Sequence, residues 1–197
     1  MLMEIALGKN FDQRGADPST MHDPGGKTRI RLPGDVRGAA VFSDCGRYRY
    51  SLERDWTVAG ALPRTVVFIG MNPSVADASV QDPTCAKETG LARRWGFTRY
   101  VKGNMLDWRA TSPKDLPHAP DVACSALNLP AILDMVQSAE FVVLAYGVIH
   151  KRHAATVDRT IGALRATGKP LFCLGRNADG SAKHPLYLRN DVDLTAF

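Results

Sequence analysis

The run TVVFIGMNPS (residues 65–74) is an apolar stretch that ends abruptly in Gly70-Met71-Asn72-Pro73-Ser74. A β-favouring segment therefore delivers an amide, a proline and a hydroxyl in one tight loop. In an open α/β sheet, the loop at the carboxyl end of a strand is where ligands bind. Gly70 lets the backbone turn and lets a ligand approach closely, and Pro73 stiffens the loop by fixing its own φ. The side-chain oxygen of Asn72 can hold a water, although an amide cannot act as a general base; the competing use of Asn72 is a hydrogen bond within its own turn. Asp77 and Asp82 follow closely and could supply a carboxylate for acid–base work. Asp82, directly before Pro83, is fully accounted for as a helix N-cap, which leaves Asp77 as the candidate. Near the other end, His184-Pro185-Leu186 presents an imidazole that can donate near neutral pH, the alternative being a turn histidine at the surface.

Such residues act together only if strands end at one edge. The apolar runs at 65–69, 100–104, 140–146 and 171–174 read as four strands, the third nearly continuous in apolar residues, as expected when both faces are covered. Helices fit between them. Asp82-Pro83 starts one that Gly96 ends, a second covers 129–138, and a third covers 151–167 with Ala155, Val157, Ile161 and Leu164 as its apolar face. Residues 74–81 read as a polar loop, and 105–120 as a loop with three prolines. Residues 39–56 alternate like a hairpin turning at Asp44-Cys45-Gly46. Residues 1–38 form an irregular extension with a short strand at 28–32, and 39–197 form a single domain. The alternation predicts the α/β class: a three-layer α/β/α sandwich with a central, mostly parallel four-stranded sheet plus the N-terminal β-hairpin. Its carboxyl edge would gather Gly70-Met71-Asn72, Gly103-Asn104, Gly147 and Gly175-Arg176.

Composition sets wider bounds. The 197 residues suit one domain, and 45% hydrophobic and 23% charged content is ordinary for a globular chain. A net charge of +5 fits an anionic partner such as nucleic acid, although the positive residues are spread along the chain. No apolar run approaches the ~20 residues that span a bilayer, and the first residues lack a basic segment followed by an apolar one, so a cytoplasmic location and no membrane partner are expected. Cys45, Cys85, Cys124 and Cys173 are too far apart for a CxxC site, and His150 and His153 lack a third ligand, so no metal is expected.

The strand ends resemble the uracil-DNA glycosylase superfamily, whose first motif has the form Gly-x-(Asp/Glu/Asn)-Pro, here Gly70-Met71-Asn72-Pro73. A strand ending in Asn and a late His-Pro are similar to Asn104 in YVKGNML and to His184-Pro185-Leu186. The phrases SDCGRYRYSL, NPSVADASVQDPT, ARRWGF, RATSP and GSAKHPLYL look more specifically like a bacterial and phage family known as a domain of unknown function, number 1643, over about residues 40–190. The glycosylase resemblance implies a uracil-DNA-glycosylase-like fold and hydrolysis of the base–sugar bond of a damaged or modified base in DNA. It requires no cofactor and would be carried out by a monomer on single- or double-stranded DNA with the base flipped out. It implies that Asn72 positions the water, with Asp77 as the carboxylate and His184 facing the leaving base. Gly70, Met71, Pro73, Ser74, Asn104, Tyr146 and Gly147 would then form the base pocket, and Arg109, Arg176 and Lys183 would contact phosphates. Two departures stand out: Asn72 replaces the Asp of the most active branch, and Leu186-Tyr187 replaces the Ser-Pro that usually follows the histidine motif. The same residues leave two other readings open, a hydrolase or transferase of free nucleosides or nucleotides, and a non-catalytic module that binds nucleic acid or a modified base.

Overall fold

The computed structural model describes residues 22–26 and 28–197, so residues 1–21 and 27 of the expected extension lie outside the described residues. The strands are β1 (Ile30–Arg31), β2 (Arg37–Phe42), β3 (Arg49–Asp55), β4 (Thr65–Gly70), β5 (Val80–Gln81), β6 (Arg99–Asn104), β7 (Phe141–Leu144), β8 (Leu171–Cys173) and β9 (Thr195–Ala196). The helices are α1 (Pro83–Arg94), α2 (Pro120–Ala123), α3 (Asn128–Gln137) and α4 (Ala154–Ala166), with 3-10 turns at Pro113–Asp115, Lys151–His153 and Pro185–Tyr187.

Seven strands make the main sheet, in the order β2-β3-β6-β4-β7-β8-β9. Its centre, β6-β4-β7-β8, is parallel and consists of the four strands expected from the sequence. The expected sheet of four strands is therefore too small. The hairpin β2–β3 extends it, with β3 antiparallel to β6 and Leu52 opposite Lys102. At the other edge β9 runs antiparallel to β8, with Phe172 opposite Ala196. The physical reason is the edge: left at four strands, β6 and β8 would each expose a row of unpaired N–H and C=O groups. The hairpin begins at Arg37, inside the stretch assigned to the extension, and the expected polar loop 74–81 contains β5, whose Gln81 pairs with Ile30 of β1.

Three layers follow from the alternation along β4, which is buried at every residue. Val66 and Phe68 face α1, packing with Leu91, Ala92, Phe97 and Tyr100. Val67 and Ile69 face α3 and α4, packing with Ile132, Met135, Ile161 and Leu164. Phe68 stacks on Trp95 with ring centroids 5.9 Å apart, and a side chain of that size contributes about 1.5–3 kcal/mol when fully buried. Helix α1 starts as its residues dictate: Asp82 Oδ1 accepts from the Cys85 amide at 2.8 Å, Pro83 takes the first helical position, and Gly96 leaves the helix at φ 78°. Among the described residues, no helix is long and apolar enough to cross a membrane.

Candidate functional site

A cleft of about 360 Å³ opens at the carboxyl edge of the parallel strands. The loop after β4 supplies Met71, Asn72 and Ser74, the loop after β7 supplies Gly147 and Val148, and the start of α1 supplies Asp82 and Thr84. Lys102 of β6, Arg49 of β3 and the segment His184–Tyr187 complete most of the wall. The amide nitrogen of Asn72 donates to Pro73 O at 3.0 Å and to Ala110 O at 2.7 Å. The Ala110 amide in turn donates to Pro73 O at 2.9 Å, tying the loop to the segment after β6. With both of its hydrogens committed, the side chain must turn Oδ1 the other way. No described donor reaches that oxygen.

His184 Nδ1 accepts from the Leu186 amide at 3.4 Å, which puts the ring proton on Nε2. Burial lowers its pKa, helped by Lys102 and opposed by Asp82, so the ring is neutral at pH 7. Gly147 sits against it at φ 68°, where a Cβ would lie 3.2 Å from the Cβ of His184. Only glycine gives both the left-handed turn and that close approach.

The strongest charges in the cleft are ones that reading for strand ends overlooks. Lys102, 4% exposed, donates to Glu88 Oε2 at 2.5 Å, and the Tyr100 hydroxyl donates to the same oxygen. Burial disfavours the Lys102 charge, but Glu88, with Cys85 and Asp82 behind it, outweighs burial and raises the lysine pKa. Burial also pushes the Cys85 thiol up to about 12, so this cysteine is no nucleophile. Asp82 spends Oδ1 on the α1 cap, and the Cys85 side chain also hydrogen-bonds its carboxylate. Burial resists its charge, but Lys102, the Cys85 amide and Arg49 lower its pKa, so it is ionised. The signal for Lys102 lay in the sequence as a lysine inside an otherwise apolar strand, Tyr100-Val101-Lys102-Gly103. Asp82, which the sequence offers as a carboxylate but accounts for fully as a cap, has a place in the cleft as well.

The remaining expected residues divide. Pro73 is buried behind Asn72, and Gly70 ends β4 next to Lys102 and Asn104; a Cβ on it would lie 2.9 Å from Asn104 Oδ1 and 3.0 Å from Lys102 Cε. Asn104 is 1% exposed, neither its Oδ1 nor its Nδ2 has a partner among the described residues, and like Gly70, Pro73, Arg176 and Lys183 it is not among the residues that line the cleft. Arg176 and Lys183 are exposed, with Arg176 stacked on Phe197 at 4.1 Å. Three residues stand elsewhere than the sequence suggests. Asp77 turns into its own loop, where Oδ1 accepts from Ser79 N, Ser79 Oγ and Val80 N at 2.7–2.9 Å, and it does not line the cleft. Tyr146 belongs to the core on the α3–α4 face, because strand alternation turns it away from the cleft. Arg109 is buried and spends its guanidinium on His22 O and Gly46 O, each at 2.7 Å, and on the face of Phe42, so it is an internal brace. Burial, with Arg49 nearby, lowers its pKa to about 10. Among the described residues, no group of three or more His, Cys, Asp or Glu side chains could hold a metal ion.

The chain matches no curated protein and no solved structure. One family model does match it, over residues 49–186, a stretch that runs from β3 through the cleft residues to Leu186. The chain thus belongs to the family described as protein of unknown function (DUF1643).

Proposed function

We propose that the protein hydrolyses the N-glycosidic bond of a damaged or modified base in DNA. The observation that carries this reading is the clamp on Asn72: two carbonyls fix its amide nitrogen, which leaves Oδ1 bare in the same cleft as a neutral, Nε2-protonated His184. Breaking a base–sugar bond builds positive charge on the sugar and negative charge on the base, so a site needs an oriented water and a donor for the departing base. Asn72 Oδ1 holds the water. The ionised Asp82, which lines the cleft, takes the proton as the water oxygen bonds to the sugar carbon. The electrons of the broken bond pass to the base, where the His184 Nε2–H stabilises them. Asn104 carries an unpartnered donor and an unpartnered acceptor behind Gly70, outside the cleft lining, and would read a base edge only where the base displaces the wall at Gly70. Tyr187, 91% exposed at the cleft, would stack on a neighbouring base. Lys102 is protonated in its pair with Glu88 and is no amine nucleophile, so hydrolysis stops at the abasic site.

Motif order supports the same reading, since Gly-x-Asn-Pro, a strand-ending Asn and His-Pro resemble the uracil-DNA glycosylase superfamily. The test is base release from single- and double-stranded DNAs carrying uracil, hypoxanthine, or hydroxymethylated or glucosylated pyrimidines, read as alkali-labile sites. The expected outcome is product from the wild type and a loss of about 10²-fold or more in both Asn72→Ala and His184→Ala. No product from any of these DNAs with folded protein would overturn the reading.

A further inference from the structure

The cleft does not end at Met71. Met71, Pro113 and Val148 also wall an adjoining pocket of about 380 Å³, whose polar lining is Lys114, His118, His150, Arg152 and His153. No carboxylate lines it, and no described carboxylate pairs with Lys114 or Arg152. His150 Nδ1 accepts from the Arg152 amide at 3.2 Å and from Arg152 Nε at 2.9 Å. That puts the His150 proton on Nε2 and holds the Arg152 guanidinium by its inner nitrogen, leaving its two outer nitrogens to donate. His153 is 2% exposed, and its Nδ1 has no partner among the described residues. Burial lowers its pKa, and Arg152, His150 and His118 add to the effect. Helix α4 starts directly after His153, with no side-chain cap and no acidic residue in its first turn. The 3-10 turn Lys151–His153 leads straight into it and bonds the first of its amides, Ala154 N donating to Lys151 O, so the side chains of that turn and not an open helix end meet the pocket.

We infer that this pocket is a phosphate subsite, in which Lys114, Arg152, His150 and His153 hold the oxygens of a phosphate belonging to the nucleotide whose base enters the neighbouring cleft. The link to a base rests on the proposed function; the anion site itself does not. One ligand class answers every unmet demand here. A phosphate neutralises two unpaired cations, accepts from an arginine that offers parallel donors, and reaches a buried ring nitrogen. An apolar or cationic occupant would leave these groups desolvated and unmatched. The phosphate has two sources of the same chemistry, the diester of a DNA strand or the monoester of a free nucleotide.

The test is histidine-ring NMR on the full chain, titrated with inorganic phosphate against chloride at constant ionic strength. The signals of His150 and His153 should shift saturably while His184 stays put, and the His153 midpoint should rise, because a bound anion favours the imidazolium. The double variant Lys114→Ala/Arg152→Ala changes two side chains outside the core and should weaken phosphate at least about tenfold. Competition then separates the sources: displacement of phosphate at lower concentration by deoxyuridine 5′-monophosphate names the monoester, and by an oligonucleotide without terminal phosphate names the diester. No saturable change at His153, or an undiminished response in the double variant, overturns the inference. Base release on the same preparation is a separate readout. Phosphate binding without base release leaves the subsite standing and removes the glycosylase reading, and base release without a phosphate response does the reverse.

Discussion

Two adjoining pockets share the wall of Met71, Pro113 and Val148 and treat charge in opposite ways. In the cleft at the strand ends, the charges lie near opposite ones: Lys102 pairs with Glu88, and the ionised Asp82 caps α1 and faces the field of Arg49, which itself donates to the Ala76 carbonyl at 2.9 Å. In the neighbouring pocket they do not: Lys114 and Arg152 have no described carboxylate, and the buried His153 Nδ1 has no described partner. Buried charges must be compensated internally, as in the cleft, whereas the exposed Lys114 and half-buried Arg152 keep their charges in reach of water and free for an anion. The first pocket therefore suits an uncharged group such as a base and sugar, and the second an anion. The difference also separates stability from binding, since matched charges hold the fold and unmatched ones are left for a partner.

The largest effect should come from breaking a match in the cleft. Lys102→Met strands the buried Glu88, and the expected loss is about 3–5 kcal/mol in urea unfolding. The double variant Lys102→Met/Glu88→Gln should recover part of that loss, whereas Lys114→Met, with no pair to break, should stay within about 0.5 kcal/mol. Equal losses at Lys102 and Lys114 would dissolve the contrast.

A smaller effect should come from the shared rim. Gly147→Ala puts a Cβ at φ 68° and 3.2 Å from His184, with an expected cost of about 1–3 kcal/mol. Base release should fall with it while the phosphate response of His153 is unchanged; a parallel loss of both would mean that the two pockets act as one.

The smallest effect concerns acid. His153 and His184 both have pKa values below the ordinary 6.5. Below that value the unfolded chain binds protons that the folded chain does not, so stability present at pH 7 is lost as pH falls through and below 6.5. The slope is at most about 1.4 kcal/mol per pH unit for each proton. His153→Gln should flatten this fall in denaturation midpoints between pH 7 and pH 5. A bound phosphate should flatten it too, by returning His153 toward its ordinary value. An unchanged slope in the variant would remove His153 from the account.

Much of the frame was legible because its signals are local. The four central strands announce themselves as apolar runs ending in glycine or a small polar residue, and α1 is bracketed by Asp82-Pro83 and Gly96. The edges were not legible. β9 is two exposed residues and β5 is two, too short to carry any period, whereas β1 falls inside the short strand read at 28–32. The hairpin was read correctly as a hairpin, but its docking on β6 depends on a strand far along the chain. The site shows the same split. Asn72, Gly147 and His184 follow strand ends or sit in a His-Pro turn, where position alone suggests a role. Lys102, Asp82, Tyr146 and Arg109 carry side chains that suit a site or a core equally, and only packing separates the two.

The sequence by itself determined the α/β class, the parallel strands and the loop that carries Asn72, since periodicity, capping and glycine placement act over a few residues. Tertiary structure alone decided which charges are paired: that Lys102 meets Glu88 across α1 and β6, that Arg109 is spent on backbone carbonyls, and that the basic residues around His153 are left without a carboxylate. Charge pairing depends on distances between residues far apart in the chain and on the removal of water between them, and neither is written in any short stretch of sequence.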